Sequence, residues 1–493
     1  MNHPLLFEIN TRCWLRLLSE QAGREVTLAD VPDSEFVRWQ QLGFTHIWAM
    51  GVWTTGPRCR LMCFDGGNME ATFNRLVPGW KKEDVPGSPY AIAEYKVSAA
   101  LGGEAGLKAF RKKLHAHGMK LLLDFVPNHM GLDHPWATKE PDHFMQSPGP
   151  GAGVFEQETV LGPRWLAHGK DPNFAAWPDT IQMNYRRPET RAAMIEILKS
   201  VAERCDGVRC DMSMLLLNDV FARTWAHLPD ASPAPKTEFW PEAIGAVKQA
   251  HPQFIFLAEA YWGLEGRLQS LGFDYTYNKT VYDLLANRHY GEVQPNLLSC
   301  PPEYLAASAH FLENHDEPRI APILSPAENR AAALLVLGLP GMRFLYEGQL
   351  DGRRSQIPVQ LGRWPDELVN EEIATAYEQL LTTIKDSCVG RSMATLLRPN
   401  GWPDNQSSRN IVAVLWQKSP VEFDLVVVNL APHTSQGVVV LPVSDLASKH
   451  WQMRDLLGTE KYQRPGSELA ANGLYLDLAP HHAQLFRFEP HTH

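Results

Sequence analysis

Short apolar runs that alternate with segments of helical spacing constrain this chain most. LLFEINTRCWL, FTHIWAMGVW, MKLLLDFVPNH, CDGVRCD, QFIFLAEA, GFDYTYN, AHFLENHD and MRFLYEGQ read as eight strands. Between them, Phe36, Trp39 and Leu42 fall on one helical face, as do Leu107, Phe110 and Leu114. Met194, Ile195, Leu198 and Val201 form another stripe. Ser325, Pro326 and Glu328 spell a capping box with proline at the first helical position. Apolar strands alternating with helices imply a parallel sheet covered by helices. A (β/α)8 TIM barrel and a doubly wound sheet both satisfy that pattern. Polar residues close several different strands, as a barrel site requires, and no glycine-rich dinucleotide loop follows the first strand. The barrel is therefore expected over 1–129 and 188–387.

Two segments break the rhythm. Residues 54–88 read as a polar loop, and 130–187 as a long irregular excursion after the third strand. From 388 to 493 the runs NIVAVLWQ, FDLVVVNL, GVVVLP and LYLDLA have no long helical stripe between them, which predicts a C-terminal all-β sandwich. A chain of 493 residues is long enough for such a division. Its formal charge of -10 argues against a nucleic-acid backbone as partner. Seven cysteines, an odd number, do not suggest a disulfide framework. The run AAALLVLGLP falls well short of the roughly 20 residues of a membrane span, so no membrane partner is expected. MNHPLLFEIN has no secretory pattern, which makes a cytoplasmic location the expectation. The oligomeric state stays open.

The chemistry sits at the strand ends. Asp211, Glu259 and Asp316 close three separate strands, with His129, Arg209 and His315 beside them. Three convergent carboxylates suit a divalent metal, or glycosidic chemistry in which one carboxylate attacks and another donates a proton. Arg209 and Asp211, two apart on a strand, face the same way. Asp124, deeper in its strand, is a supporting candidate, as is Asp206. Arg319, which closes FLENHDEPR, and Trp262, beside the third cluster, are further substrate-binding candidates.

DFVPNH, DGVRCD, LAEAYW and ENHD resemble, in order and wide spacing, the four signature regions of glycoside hydrolase family 13, the α-amylase family. The resemblance implies a retaining mechanism with Asp211 as nucleophile and Glu259 as general acid and base. It implies that Asp316 grips the 2- and 3-hydroxyls of the sugar before the cleaved bond. His129 and His315 would bind sugar hydroxyls, and Tyr90 would stack on the same ring. It also implies no required cofactor beyond a structural Ca2+, for which Asn128 is the recognisable ligand. The family often carries a Lys-His pair where this chain has Met214 and Leu215, which implies a less polar acceptor side. The expected activity is hydrolysis of α-glucosidic bonds in α-linked glucosides, oligosaccharides or α-glucans. Two alternatives are an α-glucosyl transferase using the same covalent intermediate, and an inactive carbohydrate-binding or scaffold protein on the same fold.

Overall fold

The computed structural model describes residues 3–64, 68–228 and 232–491. Eight strands form a closed barrel: β1 (Leu5–Asn10), β2 (His46–Met50), β3 (Lys120–Phe125), β4 (Gly207–Cys210), β5 (Ile255–Ala258), β6 (Tyr275–Tyr277), β7 (Ser308–Phe311) and β8 (Met342–Tyr346). Each pairs in parallel with the next in sequence, and β8 closes on β1. Inward-facing residues fill the interior as a separate core of Leu6, Trp48, Leu122, Leu257, Tyr277, Phe311 and Phe344. Two residues beyond Leu6, on the same face of β1, stands the fully buried Glu8. The interior is thus apolar below and polar at the C-terminal rim.

Local signals explain two departures from the sequence reading. LLFEINTRCWL is not all strand: β1 stops at Asn10, whose Oδ1 accepts from the Cys13 amide at 3.4 Å and caps a helix over Thr11–Ala22. Gly23 ends that helix at φ 63. The 54–88 segment is more than a loop and contains helices Pro57–Met62, opened by its proline, and Asn68–Leu76. The Ser325–Glu328 capping box forms as read.

The 130–187 excursion carries an antiparallel sheet of Gln146–Ser147, Arg164–Ala167 and Val154–Gln157. It is tied to the barrel rim where Thr180–Gln182 pairs with His129–Gly131. Beyond the barrel, six antiparallel strands between Met393 and Pro490 form a sheet, and Ser435–Val439 with Leu474–Leu478 make a second pair over it. Leu397, Phe423, Trp451 and Leu476 belong to the core between these layers.

The helix Pro326–Gly338 is apolar nearly all round because both its sides are covered. One side meets the barrel. The other meets the C-terminal sheet, where a Cβ at Gly338 would lie 2.8 Å from Val426 Cγ1. Trp416 locks the junction by donating its indole N–H to the Gly338 carbonyl at 2.8 Å. Replacing Trp416 with Ala should destabilise the protein by about 3–5 kcal/mol, read as a lower midpoint in urea unfolding. An unchanged midpoint would mean that this junction does not stabilise the fold.

Candidate active site

Arg209 organises the C-terminal rim. Its side chain is fully buried, and β4 aims it inward between Asp124 of β3 and Leu257 of β5. Nη1 lies 2.7 Å from Asp211 Oδ1, and Nη2 lies 2.7 Å from Glu259 Oε2 and 3.7 Å from Asp316 Oδ2. The rings of Trp48 and Tyr90 each lie 5.3 Å from the guanidinium carbon, and that of Tyr277 5.9 Å. Burial alone would weaken the cation. Glu259, Tyr277, Tyr90 and Asp211 outweigh it and hold Arg209 firmly protonated.

The three carboxyls then differ by environment. Burial pushes Glu259 up to about 7; Arg209 opposes this, and the negative charges of Asp211 and Asp316 add to it. Burial raises Asp211 as well, against Arg209, whose charge and hydrogen bond favour the carboxylate. For Asp316, whose side chain is 44% exposed, burial raises the carboxyl, but the charge and hydrogen bond of His315, with Arg209, outweigh it and hold it below the ordinary range. One acid poised near neutrality beside a carboxylate gripped by arginine is a pairing suited to proton donation and attack.

His315 is the second junction. Its Nε2 lies 3.0 Å from Asp316 Oδ2 and 2.7 Å from the Tyr90 hydroxyl, and its Nδ1 lies 2.5 Å from Glu8 Oε1. Burial would lower its pKa, but Asp316 and Glu8 raise it well above the usual value, so it stands as an imidazolium. Tyr90 stacks on His315 with ring centroids 5.3 Å apart. His129 is different: burial takes it down to about 4, so it is neutral, and it packs against Trp177.

A cleft of about 620 Å3 opens over these groups. Tyr90, His129, Asp211, Glu259, Trp262 and Asp316 line it, and the excursion supplies a wall through Asp171, Phe174, Trp177 and Asp179. A larger cavity, about 930 Å3, lies between the barrel and the C-terminal domain, where Glu303 is the only acid among its lining residues. Other residues sit away from the expected contacts. Met214 and Leu215 do not form an acceptor-side edge: Met212 turns the chain at φ 43 into a 3-10 turn, and both side chains enter the core. Arg319 does not reach substrate space. It is buried against Glu313 Oε2 at 2.7 Å and lies under Tyr346. Asp206 does not support the acids, since it closes the opposite end of β4 with Arg111 and His115. Asp124 accepts from the Trp48 indole at 3.1 Å and the Gly51 amide at 2.8 Å, so it shapes the floor under Arg209.

Glu8, Met212, Phe174 and Tyr261 escaped the sequence reading. Glu8 carried a usable signal: it is the lone charge in LLFEIN. Tyr261, two residues beyond Glu259, donates its hydroxyl to Glu259 Oε1 at 2.8 Å.

The oxygens around Asn128, the residue expected to hold calcium, already share a donor. The Asn128 carbonyl, its Oδ1 and the Met183 carbonyl all accept from one group, Gln182 Nε2, at 2.9, 3.1 and 3.1 Å. An amide donor stands among these oxygens, and a calcium ion there would have to displace it. Calcium sites of proteins draw on carboxylates and six to eight oxygens.

The profile of the α-amylase catalytic domain matches residues 40–407. The chain belongs to the α-amylase family. An α-amylase of Haloarcula japonica is 25% identical over 289 residues, 57% of this chain and 39% of that protein. An α-amylase of Dictyoglomus thermophilum is 22% identical over 298 residues, 56% of this chain and 54% of its own length. The chain thus spans about half or less of the curated relatives it matches. A maltogenic α-amylase of Thermotoga neapolitana shares the fold over 99% of both chains, with TM-score 0.67 and 17% identity. An α-amylase of Geobacillus thermoleovorans crystallised with acarbose does so at TM-score 0.67 and 18% identity, again over 99% of both.

Two outcomes test this geometry. Glu8→Gln removes the anion at Nδ1, so the His315 imidazolium loses support and its pKa should fall by about 1–3 units. Histidine NMR titration reads this, and an unmoved resonance would refute the coupling. Gln182→Ala leaves Asn128 Oδ1 and the Met183 carbonyl without this donor, the Asn128 carbonyl keeping the Met183 amide, and should cost about 1–3 kcal/mol, while a chelator should leave the parent's melting temperature unchanged. A chelator-induced drop would show that a metal holds this rim.

Proposed function

We propose that the protein is a retaining α-glycosidase that cleaves α-glucosidic bonds in oligosaccharides or α-glucans by double displacement. One observation carries the reading: a single buried guanidinium holds Asp211 and Glu259, each at 2.7 Å, beside Asp316 in an open cleft. That spacing is compatible with the roughly 5–5.5 Å separation of the carboxyls in retaining enzymes. The relatives named as α-amylases support the same substrate class.

In the first step Asp211 attacks the anomeric carbon while Glu259 gives its proton to the leaving oxygen. The product is a β-linked glycosyl-enzyme. Arg209 fixes Asp211 through Oδ1 and favours its charged form. Asp316 and the His315 imidazolium bind hydroxyls of the same sugar, and Tyr90 presents its ring. In the second step Glu259, now a carboxylate, takes the proton of water as that water attacks the anomeric carbon. Two inversions return the α-anomer.

Transfer to a sugar hydroxyl is the second reading. Phe174, 74% exposed, and Trp262, 43% exposed, line the cleft and offer faces on which an acceptor sugar can compete with water. A relative in Cereibacter sphaeroides, 28% identical over 221 residues, is named as a maltosyltransferase. A non-catalytic scaffold is disfavoured by the three intact carboxylates on Arg209. Seven free cysteines suit a reducing compartment, and we place the enzyme in the cytoplasm.

Time-resolved products from maltose, maltotriose, isomaltose, sucrose and trehalose test the reading. Shorter sugars released first as the α-anomer support retaining hydrolysis, and early products longer than the substrate support transfer. Release of the β-anomer overturns double displacement. Asp211→Ala should abolish turnover. Glu259→Gln should slow maltose about 10²–10⁴-fold and spare substrates whose leaving group needs no proton. Full activity in Asp211→Ala would reject the assignment.

A further inference from the structure

Glu259 presents two unlike oxygens. Oε2 accepts from the Met212 amide at 2.7 Å and lies 2.7 Å from Arg209 Nη2. The Met212 amide already donates to it and the Arg209 charge lies against it, so a proton placed there would meet that N–H head on. The proton therefore resides on Oε1. Among the described residues, the protein group that hydrogen-bonds Oε1 is the Tyr261 hydroxyl, at 2.8 Å. Tyr261 also lines the cleft, beside Glu259. We propose that Tyr261 is a positioning residue: its O–H steers Oε1 toward the scissile oxygen and stabilises Glu259 as a carboxylate between proton transfers.

The proton balance is simple. In the first step Oε1–H passes its proton to the glycosidic oxygen as the C1–O bond breaks and the bond from Asp211 to C1 forms. The Tyr261 hydroxyl then donates to the new carboxylate. In the second step the incoming water or sugar hydroxyl bonds to C1, the bond to Asp211 breaks, and the released proton returns to Oε1. Tyr261 keeps its own proton throughout. Burial, reinforced by the negative charges of Glu259 and Asp316, holds the phenol well above its ordinary range. It is a donor and not a proton source.

The groups facing Glu259 are known from every side. Arg209 and Asp211 come from the β4 end, with the Met212 amide just beyond; Asp316 follows β7; Tyr277 stands on β6; Tyr261 follows β5 itself. Tyr261 is the neutral donor among them at hydrogen-bond distance from Oε1, so its removal is separable from a change of net charge. The sign is fixed. Losing a donor to the charged form disfavours the carboxylate, so Glu259 keeps its proton to higher pH.

This inference rests on the glycosidase reading, and its test separates the two. In Tyr261→Phe, the basic limb of kcat/KM for maltose should move up by about one pH unit or more. The acid limb, which reports Asp211, should stay where it is in the parent. A substrate with a good leaving group should lose less turnover than maltose. A merely structural tyrosine would lower kcat without moving the basic limb, and an unmoved limb overturns the proposal. Infrared difference spectra against Glu259→Gln follow the protonated carboxyl directly and need no turnover. The carboxyl band should persist to about one pH unit higher in Tyr261→Phe than in the parent; loss at the same pH overturns the proposal. If the parent cleaves no α-glucoside while the band still shifts, the glycosidase reading fails and the Tyr261–Glu259 coupling stands.

Discussion

A guanidinium with no solvent exposure is the constraint on which the rest of the site depends. Removing a cation from water costs several kcal/mol even after relaxation. Arg209 is tolerated because Asp211, Glu259 and Asp316 gather around it and three aromatic faces enclose it. The dependence runs both ways. Without the cation, two acids at the bottom of a low-dielectric cleft would both be driven toward the neutral form. With it, Asp211 receives both the charge and a hydrogen bond of Arg209 and is gripped as a carboxylate, while Glu259 receives the charge alone and stays near neutrality. The asymmetry of the acids follows from how one planar cation divides its two amino groups between them.

A second ionic layer supports the first. Glu8 under His315, and His315 between Asp316 and Tyr90, make a line that crosses from β1 to the loop after β7. Each member would be costly alone: Glu8 is fully buried and His315 nearly so. Together they share one positive charge where sugar hydroxyls are expected. The barrel makes this possible because strands distant in sequence are adjacent at its closure, where β8 pairs with β1 and β7 with β8.

What was legible in the sequence was set by period and by strand ends. The eight apolar runs gave the barrel, and polar residues just past them gave Asp211, Glu259, Asp316 and His315, since a strand end in a barrel has one place to go. What misled was information that neither signal carries. Asp206 and Asp211 flank the same strand, and the run CDGVRCD alone does not say which belongs to the site. Met214 and Leu215 were placed by alignment to a motif, yet the left-handed turn at Met212 rotates them into the core. Arg319 looked like a site cation because it follows His315 and Asp316, but Glu313, at the start of the same stretch, claims it. Tyr261 and Glu8 matter through pairings across the barrel or around a turn, and such pairings leave no mark in spacing.

The acids themselves do not decide between water and sugar as the second reactant, because both present an O–H to the same carboxylate. The decision belongs to the cleft mouth, where the excursion brings Phe174 and the β5 loop brings Trp262. Trp262 adopts φ 66 and is followed by Gly263 at φ 72. For a bulky residue that left-handed backbone costs on the order of 1–3 kcal/mol and persists only where its surroundings over-determine it. Here the strain keeps an indole half in solvent, which hydrophobic burial alone would not select. The same turn carries Tyr261, so the backbone that exposes Trp262 to the cleft also aims a hydroxyl at Glu259. In the proposed reaction, recognition of the second reactant and control of the proton it surrenders would both rest on Glu259 to Tyr261 and the turn that follows them, with Phe174 at the same cleft mouth.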